Sequence, residues 1–109
     1  MNTKVFYKDG LLKIGIAGEL DHHAAKTAVS AIEQNIDAHL PKNLVLDFRE
    51  LLFMDSSGIA VILKAYRRMN EVGGQVLVEN VPSQPQKVID AAGLGRLIKI
   101  AASSKEGYI

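Results

Sequence analysis

A chain of 109 residues, 48 % apolar and 23 % charged, can build one domain around a core of its own and is too short for two. It contains no cysteine, which removes disulfides, zinc–thiolate sites and thiol nucleophiles from consideration. The formal net charge is +1 without a long run of like charge, so neither nucleic acid nor a membrane surface is signalled as a partner.

Met1 to Val5 is followed by Lys8 and Asp9, which leaves no signal-peptide core, and no apolar run approaches the ~20 residues of a membrane span. The expected address is the cytoplasm. Thr3–Lys8 and Leu11–Ala17 are β-prone runs joined by Asp9-Gly10, a dipeptide suited to a tight hairpin whose central residues both need positive φ. Gly18 breaks the second run. From Ala24 to Leu40 the residues Ala25, Ala28, Val29, Ile32, Ile36 and Leu40 recur at helical spacing, with Asp21 as N-cap and Pro41 as the stop.

Leu44-Val45-Leu46 has the continuous apolar character of a strand covered on both faces. Phe48 to Met54 then leads into Asp55-Ser56-Ser57-Gly58 and a second helix, with Ile59, Ile62, Leu63, Tyr66 and Met69 inward. Gly73-Gly74 ends that helix, and Gln75–Glu79 is the next strand. Ser83 or Gln84 is a candidate cap for a third helix, with Pro85 in its first turn. Val88, Ile89 and Ala92 form its apolar side, Gly93 is its left-handed terminus, and Leu97–Ala101 is the last strand. Residues 102–109 carry no clear structural signal and are expected to form a disordered tail.

The order β-β-α-β-α-β-α-β implies one α/β domain over residues 1–109. Its sheet is mixed and mainly parallel, of about five strands, antiparallel only at the opening hairpin. Three helices cover one face or are split between two; spacing alone does not choose.

The chemistry concentrates between the middle strand and the second helix. Asp and Ser there have an ordinary role as acceptors for the orphan N–H groups of a first helical turn. They also fit a second reading, in which one hydroxyl is exposed at the helix N-terminus and tolerates a phosphate, because that terminus favours an anion. A catalytic serine fits poorly. The nucleophile elbow needs Gly-x-Ser-x-Gly, whereas Met54 and Asp55 stand two residues before Ser56 and Ser57, and no histidine follows the turn. His22 and His23 lack further ligands at a metal-binding spacing, and His39 is alone. No phosphate-binding glycine loop is present, so neither metal nor cofactor is implied. Lys64, Arg67, Arg68 and Glu71 form a solvated helix face or the rim of an interface.

Two segments carry more than composition. Gly18-Glu19-Leu20-Asp21-His22-His23-Ala24 and Phe53-Met54-Asp55-Ser56-Ser57-Gly58 together resemble the signatures of anti-sigma-factor antagonists of the STAS superfamily, in particular its sporulation-type members. Leu44-Val45-Leu46-Asp47 and Gly93-Leu94 extend the likeness over about Val5 to Ala101. The resemblance implies a non-enzymatic switch in transcription regulation. The unphosphorylated protein binds an anti-sigma factor that is also a serine kinase, and the sigma factor is freed. Phosphorylation of Ser56, the serine directly after the aspartate, ends the binding, and a phosphatase resets it. Asp21, Asp55, Ser56, Ser57 and Gly58 would form the docking surface. The same fold in a stress-signalling scaffold or a transporter accessory subunit is the alternative. Two departures stand out. Ile59-Ala60 replaces a bulkier residue followed by glycine, and Ser103–Ile109 is too short for the family's closing helix, which would favour weak self-association.

Overall fold

The computed structural model describes residues 1–103. Strands β1 (Asn2–Lys8) and β2 (Leu11–Leu20) form an antiparallel hairpin, and Asp9 and Gly10 take φ of 51° and 84°, as a tight turn of this kind requires. Helix α1 (His22–His39) follows, then strands β3 (Asn43–Asp47) and β4 (Leu51–Met54) and helix α2 (Ser56–Glu71). Strand β5 (Gln75–Val81), helix α3 (Ser83–Ala92), a 3-10 turn at Leu94–Arg96 and strand β6 (Lys99–Ala102) complete the described chain. The sheet order is β1-β2-β3-β5-β6, parallel apart from the hairpin.

The described residues therefore hold six strands, one more than the sequence pattern implied, because Leu51–Met54 forms β4. Its existence depends on β2 being longer than expected. Gly18 does not end β2; at φ 93° it makes a bulge after which the strand continues to Leu20. The first half of β2 pairs with β3, from Leu11↔Asn43 to Gly15↔Asp47, and the second half pairs in parallel with β4. Between β3 and β4 the Asp47 carboxylate accepts the Arg49 N–H at 3.0 Å and reverses the chain locally.

Along β2, Leu12, Ile14 and Ile16 are buried while Lys13, Gly15 and Ala17 are only partly covered, the period of two expected of a strand with one core face. The buried set merges with Ala28, Ile32 and Ile36 of α1, Val61, Ile62, Ala65 and Met69 of α2, and Ile89 of α3. The apolar sides of the helices thus share one face of the sheet. Ile59, Leu63 and Tyr66 pack at its margin, while Leu40 and Ala92, both expected inside, are exposed because they fall at helix ends. On the opposite face Lys13 lies 3.0 Å from Glu79 and 3.8 Å from Asp47. The hydrogen bond to Glu79 lifts the lysine above its usual pKa. Its side chain is 39 % exposed, so the pair contributes only about 0–1 kcal/mol.

The third helix departs from its expected cap. Pro82 occupies the N-cap position, and Gln84 is committed elsewhere. Gly93 takes the left-handed C-terminal conformation, φ 67°. The last strand starts at Lys99 rather than Leu97, which the 3-10 turn leaves exposed. Of the expected tail, Ala102 belongs to β6, and residues 104–109 lie outside the described residues, as does the region of a closing helix. No helix of the described residues is long and apolar enough to cross a membrane.

Candidate functional site

Strands β2 and β4 run side by side and finish in register, Leu20 opposite Met54. Each is followed by one aspartate and then a helix. The Asp21 carboxylate accepts the Ala24 N–H at 3.0 Å, and that of Asp55 accepts the Ser57 N–H at 2.8 Å. Both are N-caps in extended backbone, and each is worth about 1 kcal/mol by analogy with other aspartate caps. The Asp55 N–H also donates to the Leu20 carbonyl at 3.4 Å, which joins the two turns. Two helix N-termini therefore open together at the carboxyl end of the sheet, where open α/β folds present their binding surfaces.

Capping divides the labour between the neighbouring residues. Asp55, not a serine, caps α2, and Ser56 is the first helical residue and exposed. Ser57 is half-buried with its N–H held by Asp55. Asp21 and Asp55 are half-buried as well, and Gly58 is buried. A Cβ on Gly58 would lie 2.2 Å from Cγ and 2.5 Å from Sδ of Met54, and 3.3 Å from Cδ2 of Leu20. Glycine lets the first turn of α2 close over these two strand ends without displacing the Met54 side chain. Because the Ser57 N–H and the Gly58 N–H both point to Asp55, a phosphate on Ser56 would not collect them; it would keep the helix dipole, at most ~2 kcal/mol, against repulsion from Asp55.

The placement of three residues at this end was not expected from the sequence. Gln84 reaches back from the first turn of α3 to Met54, accepting its N–H at 2.8 Å and donating to its carbonyl at 2.9 Å. The carboxamide imitates a neighbouring strand along β4. Leu52 and Phe53 are both exposed, on opposite faces of β4 and Leu52 at 76 %, while Leu51 and Met54 are buried. Nothing local marks Gln84, since its partner is thirty positions away; the run Leu51–Met54 marks an apolar segment but not which members face out. His22 and His23 are exposed at the start of α1 with rings edge to face, 5.8 Å apart. Among the described residues no group of three or more His, Cys, Asp or Glu is placed to hold a metal ion.

A match to the STAS domain covers residues 4–107. The chain belongs to the STAS domain family. An anti-sigma F factor antagonist of Paenibacillus polymyxa is 34 % identical over 91 residues, spanning 84 % of this chain and 78 % of the relative. The anti-sigma-B factor antagonist of Bacillus subtilis is 27 % identical over 111 aligned residues, covering 98 % and 96 %. Among solved structures, the Bacillus cell fate determinant SpoIIAA in its phosphorylated form is 27 % identical with a TM-score of 0.70 over 96 % of each chain. In this STAS domain the paired turns at Asp21 and Asp55 sit where α1 and α2 begin, at the ends of β2 and β4.

Proposed function

We propose that this STAS domain is an anti-sigma-factor antagonist that acts in the cytoplasm by binding, not by catalysis, and that Ser56 is its switch. Unphosphorylated, it docks on an anti-sigma factor that is itself a serine kinase and frees the sigma factor. Phosphorylation of Ser56 releases the complex, and a phosphatase restores the binding form. Asp21, Asp55, Ser57 and Gly58 shape the docking surface around it. The relatives from Paenibacillus polymyxa and Bacillus subtilis are both named as antagonists, which favours this reading over a transporter accessory subunit or a stress-signalling scaffold.

The observation that carries the assignment is the difference between two adjacent hydroxyls. Ser56 stands exposed at the first position of α2, whereas Ser57 is half-buried with its backbone tied to the cap. A phosphate at Ser56 adds about −1.5 to −2 charges beside Asp55 and near Asp21. Pressed against a partner fitted to the neutral hydroxyl, that charge brings repulsion and desolvation together. A loss of about 3 kcal/mol already weakens binding more than a hundredfold. Intact-mass analysis after incubation with a cognate anti-sigma kinase and ATP should show a single added phosphate that maps to Ser56. Ser56→Ala should bind that kinase persistently and Ser56→Asp poorly. Equal affinity of the two variants, or phosphate on another residue, would overturn the assignment.

A further inference from the structure

A groove of about 370 Å³ runs between α1 and α2, starting at Ser57. Its floor is small and aliphatic: Ala25 and Val29 from one helix, Ala60 and Val61 from the other. Its rim carries His22, Lys26 and Lys64, and no carboxylate lines it. Lys26 and Lys64 are exposed, and among the described residues neither has an acidic partner within ion-pair distance. Farther along the same helix pair Arg68 is paired, donating from Nε to Asp37 at 2.8 Å and from Nη1 to Glu71 at 2.8 Å. Lys26 and Lys64 thus supply uncompensated positive charge on both helices along the groove that starts beside the switch.

We infer that this groove receives an acidic amphipathic segment of the protein partner, its aliphatic side chains on the alanine–valine floor and its carboxylates between Lys26 and Lys64. Charge complementarity selects the occupant. Paired aliphatic and anionic positions are what such a helix presents at spacings of three, four and seven residues. The groove has no Phe, Tyr or Trp on which a base would stack, and two lysines make a weak footprint for a nucleic acid. From Ser57 to Lys64 the helix rises about 10 Å, enough for two turns of a partner helix. The inference rests on the switch reading for its biological partner, and it adds a reason for release. A phosphate on Ser56, one residue from the head of the groove, would offset the field of the lysines and repel the incoming carboxylates.

The test is an NMR titration of the full chain with a synthetic helical peptide of about 15 residues, long enough to hold some helix alone, with leucine on one face and glutamate flanking it. Saturable shifts are expected at Ala25, Val29, Ser57, Ala60 and Val61, weakening as salt is added. The Lys26→Glu/Lys64→Glu double variant should bind at least about tenfold less tightly, about 1.4 kcal/mol. Lys87→Glu on the exposed side of α3 should bind as the parent does. Shifts centred elsewhere, equal binding of a peptide with lysine in place of glutamate, or an unaffected double variant would each overturn the proposal. So would the same shifts produced by ATP alone, which would assign the lysines to phosphate. Ser56→Asp keeps the two readings apart: if it binds the peptide as the parent does while the double variant does not, the groove stands and its coupling to the switch falls.

Discussion

Gln84→Ala should loosen the turn that presents Ser56 while leaving the core in place. The Gln84 carboxamide makes both of its bonds to one residue, Met54, whose N–H and carbonyl face the free edge of β4. Each such bond contributes about 0.5–1.5 kcal/mol net, and an orphaned buried partner costs more. The site is part-buried, so water can replace some of what is lost, and a destabilisation of about 1–2 kcal/mol follows. In thermal unfolding that is a fall of roughly 4–10 °C for a domain of this size. The local signature is sharper. Amide exchange at Met54 should quicken by about tenfold per 1.4 kcal/mol, with helix α1 little changed. Gln84→Glu adds a pH test. The neutral carboxyl can accept and donate as the carboxamide does, whereas the ionised form sets a lone pair against the Met54 carbonyl. Its pKa in the folded protein is therefore raised above the ordinary ~4.3, so stability is retained below that value and lost as pH rises through the raised one. If Met54 in Gln84→Ala exchanges no faster than in the parent, the carboxamide does not hold the edge of β4 and the reasoning fails.

Two further substitutions probe the same turn. Gly58→Ala gains about 1 kcal/mol of helix propensity but forces a methyl into the buried Met54 side chain, an overpacking cost of about 1–3 kcal/mol. Net destabilisation in urea unfolding is expected, and Gly58→Ala should cost less in a Met54→Ala background than in the parent, a coupling that a double-mutant cycle reads. Asp55→Ala and Asp21→Ala should each cost about 1 kcal/mol through loss of a cap, read as matched shifts in the denaturation midpoint. Indifference of both midpoints would show that the two carboxylates are not capping in solution.

Local signals were legible in the sequence and distant ones were not. Asp9-Gly10 announces its hairpin because positive φ at two successive residues is a property of the turn itself. Asp21 and Asp55 are readable as caps because the N–H groups they accept lie two or three residues ahead. Strand β4 has only four residues, carries no turn residue of its own beyond the Asp47 reversal, and exists because β2 continues past the Gly18 bulge to meet it. That is a tertiary fact. The same holds for Gln84, a candidate helix cap in the sequence whose carboxamide the fold instead brings to Met54. At the candidate site the residue types were readable, but their division into an exposed Ser56 and a tied-down Ser57 needed the geometry of the cap.

That division changes how a phosphate would act. From sequence, the helix N-terminus looked like a cradle of free N–H groups that could take up the new charge. In the structure Asp55 already holds the Ser57 N–H through its carboxylate and the Gly58 N–H through its carbonyl. The added anion therefore finds a partly satisfied terminus and a neighbouring carboxylate, and gains only part of the ~2 kcal/mol that a helix end can supply. Dipole attraction and carboxylate repulsion nearly offset each other at an exposed position, where water screens both. The fold has little reason to rearrange. Under the proposed switch, a modification that is close to neutral for the domain yet adds about two negative charges at the docking end would move almost all of its free energy into the complex. The proposed switch, which cycles a binding protein between two partners without unfolding it, needs that separation, and the Asp55 cap would supply it.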